Sequence, residues 1–353
     1  MTGLPNELPH YERMESNMKK LIALLLIAIL VISLCAGAMA DEIWAPGKTV
    51  FIDVGARAGG GTDLIIRYIT QALGELNPGV NFVVNNYDVA DVGLAKAAYA
   101  EPNGLNLSVV SVGNVTNFHA GSSNFDPDVV FTIVARVTAG GPQAYVATAG
   151  APYHNFKELV DYIRTSDKKV KIGVNIGAIS HLSWLSAFNA IDPELNNMVN
   201  YVQSGGEADK LTNIASGSID LANCSMNNAI AYEADGKLVV LGIIGPEAAT
   251  REATGALVGA ELGEQYASLK EQGYDYSLDV GSYMTLPAGT DPAIVEYVNS
   301  KLLELNGNET FEKGMKVMGQ FSKVLNLEET QAAWASEVEE FMGVMQDLNM
   351  IVQ

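Results

Sequence analysis

The stretch Ala58-Gly59-Gly60-Gly61-Thr62-Asp63 constrains this chain more than any other. Ahead of it, Thr49-Val50-Phe51-Ile52-Asp53-Val54 is β-branched and apolar, the pattern of a strand buried in a sheet. Behind it, Leu64, Ile65, Tyr68, Ile69, Ala72 and Leu73 recur at helical spacing, with Arg67 and Gln71 on the opposite face. Three glycines let the backbone turn tightly and approach a ligand with no Cβ in the way. Thr62 is the expected N-cap, which points the free amides of the new helix out of the sheet edge. Unpaired amides and the positive end of the helix dipole both favour an anion there. Nucleotide readings fail on residue identity. A P-loop needs Lys and then Ser or Thr after its glycines, whereas Thr62-Asp63 follows Gly61. A dinucleotide turn needs a third glycine where Leu64 stands. The anion that suits this loop is therefore a carboxylate rather than a pyrophosphate, although one such turn can equally be a plain change of direction.

The 353 residues suggest two domains at ~150 residues each. With 21 Lys and Arg against 41 Asp and Glu, the net charge of -20 argues against nucleic acid or an anionic membrane as partner. An anion bound by such a chain must be held by local amides. The N-terminus reads as a secretory leader: Lys19-Lys20, an apolar run from Leu21 to Ile32, and Ala38-Met39-Ala40 as the cleavage site. Residues 1–40 are thus an upstream extension and signal peptide, with Met18 a second candidate start. An uncleaved anchor is the rival, and lipidation at Cys35 is weaker because Leu34 stands where a small residue belongs. Loss of Cys35 with the leader leaves Cys224 alone, read as a buried free thiol rather than a nucleophile.

After Asp41, strand-like and helix-like segments alternate without a linker or repeat, which implies α/β domains with mostly parallel sheets and ligands at the carboxyl ends of strands. The last stretch, Pro292 to Val352, is mainly helical, with Trp334, Val338, Phe341, Val344 and Leu348 at core spacing. Several strand ends repeat the chemistry of the first loop. Val174-Asn175-Ile176-Gly177-Ala178-Ile179-Ser180-His181 runs from strand through glycine turn to helix, with Ser180 as the expected N-cap. Val202-Gln203-Ser204-Gly205-Gly206-Glu207 does the same, and Ser111-Val112-Gly113-Asn114 is a fourth polar strand end. Several such turns together describe a cleft lined by backbone N–H groups.

Over essentially everything after the leader, the chain resembles the tripartite tricarboxylate transporter substrate-binding proteins, the Bug or TctC-like family. The resemblance rests on Ala58 to Asp63, Pro102-Asn103-Gly104-Leu105-Asn106-Leu107, Gly177 to His181, Gly205-Gly206, Gly217-Ser218-Ile219-Asp220 and Leu286-Pro287-Ala288-Gly289-Thr290-Asp291-Pro292. It implies a two-domain type II periplasmic-binding-protein fold that closes by a hinge around a small carboxylate, and a receptor that hands its ligand to permease subunits. Citrate, C4-dicarboxylates, acidic amino acids and aromatic carboxylates are the family's ligands, held by loop amides, hydroxyls and water. On that basis the ligand-binding residues are Arg57, Gly59, Gly60, Gly61, Thr62, Asp63, Tyr87, Gly113, Asn114, Asn175, Gly177, Ser180, His181, Gln203, Ser204 and Gly205. No cofactor and no nucleic acid are expected, and the protein is expected to act as a monomer outside the cytoplasmic membrane. The first domain should combine residues 41–141 and 273–353, and the second should be 142–272. The chain should cross at Ala139-Gly140-Gly141-Pro142 and return between Tyr274 and Ser282, with Gly281 as a hinge point.

Departures from the family bear on specificity. Ala56-Arg57-Ala58 replaces a Pro before the first loop, and Arg57 is read as a solvated rim charge ahead of a bidentate carboxylate contact. Asn85-Asn86-Tyr87-Asp88-Val89-Ala90-Asp91-Val92-Gly93 adds two acids where an Asn-Arg-Pro-Gly type of loop is usual. Gln203-Ser204 stands where Tyr-Lys is common. These changes point to a ligand with an amine or without a second negative charge. Catalysis finds little support. His119, His154 and His181 have no metal-ligand spacing, no G-x-S-x-G occurs, and Ser180-His181 read as a helix start with an outward-facing imidazole. Asp63 is read first as an acid stabilising its own helix. A sensory protein of the same fold, docking to a signalling partner, needs the same cleft.

Overall fold

The computed structural model describes residues 43–347 and 349–352. The leader, Cys35 and Leu348 lie outside the described residues. Eleven strands form two sheets. The first has the order β11-β4-β10-β3-β1-β2, from β1 (Thr49–Val54), β2 (Asn81–Asn86), β3 (Asn106–Val110), β4 (Phe131–Ala139), β10 (Ser282–Pro287) and β11 (Phe321–Ser322). The second has the order β7-β6-β8-β5-β9, from β5 (Gln143–Thr148), β6 (Lys171–Val174), β7 (Asn200–Gln203), β8 (Leu221–Ser225) and β9 (Leu238–Ile244). The β-branched run at the start of the chain becomes β1, with Val50, Ile52 and Val54 fully buried between its parallel neighbours β2 and β3.

The sheets are mixed rather than mostly parallel. The strands that carry the chain between sheets are the cause. β4 leaves the first sheet and β10 returns to it, and the two lie side by side antiparallel. In the second sheet β5 enters antiparallel to both β8 and β9. β10 is also antiparallel to β3, and β11 to β4, whereas β1 with β2 and β3, and β6 with β7 and β8, keep the parallel pairing that strand–helix–strand repetition demands.

Each sheet carries its own core. Ile66, Ile69, Leu73, Val298, Leu302 and Phe311 cover the first. On the second, Trp184 stacks on Tyr145 at 3.8 Å and lies 5.6 Å from Phe188. The helix Leu327–Asp347 serves both sheets. Trp334 packs edge-on against Tyr283 of β10, while Phe341, Val344 and Met345 join the cluster around Trp184 and Phe188. Glu340 and Asp347 accept hydrogen bonds from Ser186 Oγ at 3.0 Å and Asn189 Nδ2 at 3.4 Å. Cys224 is buried in β8, and burial pushes its thiol up to about 12, which leaves it inert. No helix among the described residues is long and apolar enough to cross a membrane.

Candidate functional site

The three glycine loops share one construction. Gly59, Gly177 and Gly205 each take a positive φ, of 81°, 83° and 67°, which a side chain would resist. A helix then begins at Gly61, Ile179 or Glu207, and its third residue turns a side chain back onto a loop amide. Asp63 Oδ2 accepts the Gly59 N–H at 2.7 Å, His181 Nδ1 accepts that of Gly177 at 3.2 Å, and Asp209 Oδ2 accepts that of Gly206 at 3.2 Å. The third is a capping-box contact to the N-cap amide, while the first two reach the amide one residue ahead of the N-cap. The N-caps are accordingly Gly60 and Ala178, not Thr62 and Ser180. Once the third side chain takes over the capping, the helix starts earlier. Thr62 then points to solvent, and Ser180 Oγ accepts the Asn175 N–H at 3.0 Å.

The third-position groups differ in charge. Asp63 is 1% exposed. Burial alone would raise its carboxyl, but donors from Arg67 and the Gly59 N–H outweigh that and hold it below the usual range. The His181 imidazole is buried rather than outward-facing, because Nδ1 turns inward to the loop and the ring sits edge-on to Tyr201 at 4.7 Å. Desolvation lowers its pKa to about 4, so it is neutral at physiological pH.

The two crossings between sheets run against each other. A Cβ on Gly141 would lie 2.3 Å from the Gly319 carbonyl oxygen, and one on Gly140 would lie 3.0 Å from the Val280 backbone. Beside them is a buried ionic cluster. Arg136 pairs with Asp279 and, at 3.3 Å, with Glu337, which also accepts the Tyr283 hydroxyl at 2.5 Å and the Gly281 N–H at 3.2 Å. Burial raises the Glu337 carboxyl to about 7 against the opposing pull of Arg136.

Between the crossings and the loops lies a cavity of about 430 Å³. Gly61, Ile179, Glu207 and Met226 line it, and each is the first residue of its helix. The helices run 16, 13, 9 and 9 residues, so four positive dipole ends converge on one space. The amides of Gly61, Thr62 and Asp63 have no acceptor among the described residues. Gln143, Ser225, Asn227 and Gln320 add uncharged polar groups, and among the described residues no Lys or Arg lines the wall.

Of the residues expected from sequence, Gly61 lines this cavity directly. Gly59 and Gly60 shape the turn before it, and Gly177 and Gly205 shape the turns before Ile179 and Glu207. A Cβ on Gly113 would lie 3.3 Å from Ile179, which puts the fourth strand end against the second loop. Asn114 caps its own helix by accepting the Ser111 N–H at 3.0 Å. Gln203 accepts the Ile176 N–H at 2.8 Å and donates to Asn175 Oδ1 at 2.7 Å, and Ser204 is buried, accepting from Asn213 at 2.7 Å. The Tyr87 hydroxyl donates to the buried Asp53 carboxylate at 3.2 Å. Arg57 is exposed, 4.0 Å from Asp88. The sequence reading missed Gln143, Ser225 and Asn227. The helix that brings Asn227 to the wall begins at Met226, three residues earlier than its apolar spacing suggests. Among the described residues no group of His, Cys, Asp and Glu could hold a metal ion.

The model of the tripartite tricarboxylate transporter family receptor matches residues 75–320, more than half of the chain. The chain belongs to this family of substrate-binding receptors. A TctC solute-binding protein from Polaromonas is similar at TM-score 0.69 and 21% identity, over 86% of this chain and 99% of that one. The periplasmic binding protein BugD is similar at 0.64 and 22%, over 87% and 100%. A Rhodopseudomonas palustris protein solved with bound malate is similar at 0.61 and 19%, over 85% and 99%. At these identities the likeness shows the two-domain periplasmic-binding-protein fold. No curated protein sequence matches the chain.

Proposed function

We propose that this receptor captures a small carboxylate in the cavity between its two sheets and presents it to the permease subunits of a tripartite tricarboxylate-type transporter. The observation that carries the reading is the convergence of four helix N-termini on one cavity that no cationic side chain lines. Convergent amides and dipole ends hold an anion without a lysine or arginine. A related protein solved with adipate and another with malate support a carboxylate as the occupant. In this reading residues 41–141 and 273–353 form one lobe and 142–272 the other, and the glycine-lined crossings beside the ionic cluster are the hinge. The receptor works as a monomer outside the cytoplasmic membrane after removal of its leader.

Thermal denaturation of the purified protein against a panel of mono-, di- and tricarboxylates and amino acids tests this. A ligand at 100 times its Kd adds ~2.7 kcal/mol. For domains of this size that moves Tm by several degrees, at ~2–4 °C per kcal/mol. A shift confined to a few carboxylates supports the reading. Folded, ligand-free protein that responds to none of them overturns it.

A further inference from the structure

The acids that the sequence suggested as amine partners do not reach the cavity. Asp91 is held by the Ser123 hydroxyl at 2.6 Å and by the Asn124 backbone and side-chain amides at 3.0 and 2.9 Å. Asp88 lies on the rim, 79% exposed. A different carboxylate is in place. Glu207 lines the cavity and, among the described residues, is the one ionisable side chain that does so. Ser225 donates to its Oε1 through the backbone at 3.1 Å and the hydroxyl at 2.7 Å, and Asn228 Nδ2 donates to the same atom at 2.6 Å. Three donors on one oxygen fix the group against the wall, and Oε2 accepts nothing from the described residues. Lys210, buried nearby, gives its ammonium to Asn223 Oδ1 at 3.0 Å and feels the Glu207 charge without making a salt bridge to it among the described residues.

Resting on the carboxylate-receptor reading, we infer that the ligand is a zwitterion of zero net charge. Its carboxylate meets the helix N-termini and its ammonium donates to Glu207 Oε2. The chemistry of the wall excludes the alternatives. A dicarboxylate would bring two negative charges into a closed space that already holds one, with no lining cation to offset them. An uncharged tail would strip water from Oε2 on closure and give it no donor in exchange. An ammonium supplies the donor and the opposite charge together. Ile65, Val258, Leu278 and Met318 complete the wall, so the rest of the ligand is an apolar or uncharged side chain.

Titration calorimetry on the full-length purified protein with matched pairs tests this: leucine against 4-methylpentanoate, valine against 3-methylbutanoate, and 4-aminobutyrate against butyrate, with succinate and adipate alongside. The expected result is an amino compound that binds at least about tenfold more tightly than its des-amino partner. E207Q should erase that preference, while E207D keeps part of it. A des-amino acid, succinate or adipate that binds the unaltered protein as tightly as any zwitterion overturns the inference and leaves the receptor reading standing. Silence across these compounds and across the wider panel of carboxylates and amino acids overturns both. The matched pairs need no variant, so a poorly folding E207Q does not rescue the inference.

Discussion

The loop at Gly59 and the loop at Gly177 are one backbone device with two electrostatic outcomes. Both bend at a left-handed glycine, and both return a third-position side chain onto the loop amide. In the first the returning group is a carboxylate tied to Arg67. In the second it is an imidazole whose charge burial has removed. An acid at the third position cancels part of its own helix dipole, whereas a neutral imidazole leaves it uncancelled. The second-sheet loop is therefore the better seat for an anion, and the first is the better-fastened scaffold.

The largest test of that contrast is D63A. It should cost about 3 kcal/mol, because Arg67 and the Gly59 amide both lose a partner at a buried position. A Tm within a degree of the unaltered protein would show that the carboxylate is not the fastening. H181A should cost about 2 kcal/mol through the lost amide acceptor and ring contact with Tyr201.

The buried imidazole of the second loop and the buried carboxyl beside the crossings separate by pH. His181 titrates near 4 when folded against an ordinary 6.5, so its contribution is complete above 6.5 and is lost as pH falls toward 4. Glu337 runs the other way. Its folded value of about 7 lies above the ordinary 4.5, so its contribution is present below 4.5 and lost as pH rises through 7. Denaturant midpoints of H181Q and E337Q, each subtracted from the parent between pH 4 and 8, should slope in opposite directions. Parallel slopes would break the assignment. The smallest effect is D209A, where an exposed third-position acid on the third loop should cost under about 1 kcal/mol, measured by the same melts.

Much of the fold was legible because its signals are local. Thr49 to Val54, Phe156 to Arg164 and Leu238 to Ile244 announce themselves by β-branching or helical period, and each glycine loop marks a strand-to-helix turn. The N-caps at Gly60 and Ala178 were hidden because the capping acceptor is a side chain three residues further on. The burial of His181 depends on Tyr201, twenty residues away, and no local pattern encodes it. Glu207 stood in view beside Gly205-Gly206, yet only the pairing of β8 with β5 and the start of a helix at Met226 turn its neighbourhood into a cavity wall. The expected family was legible as an ordered set of loops, which local motifs can carry even where each is modest.

The strand order has a consequence for how the chain acquires its shape. The second sheet draws all its strands from residues 143–244, so it can close as soon as that segment exists. The first begins at Thr49, but β4 lies between β10 and β11, gains its first neighbour only at β10 and its second only when Ser322 has been made. Long-range pairing of this kind is slow, since a large loop must be closed before any contact rewards it. Strand order thus predicts that the second sheet matures before the first. The helix Leu327–Asp347, which follows every described strand in the chain and rests on both sheets, latches the halves together.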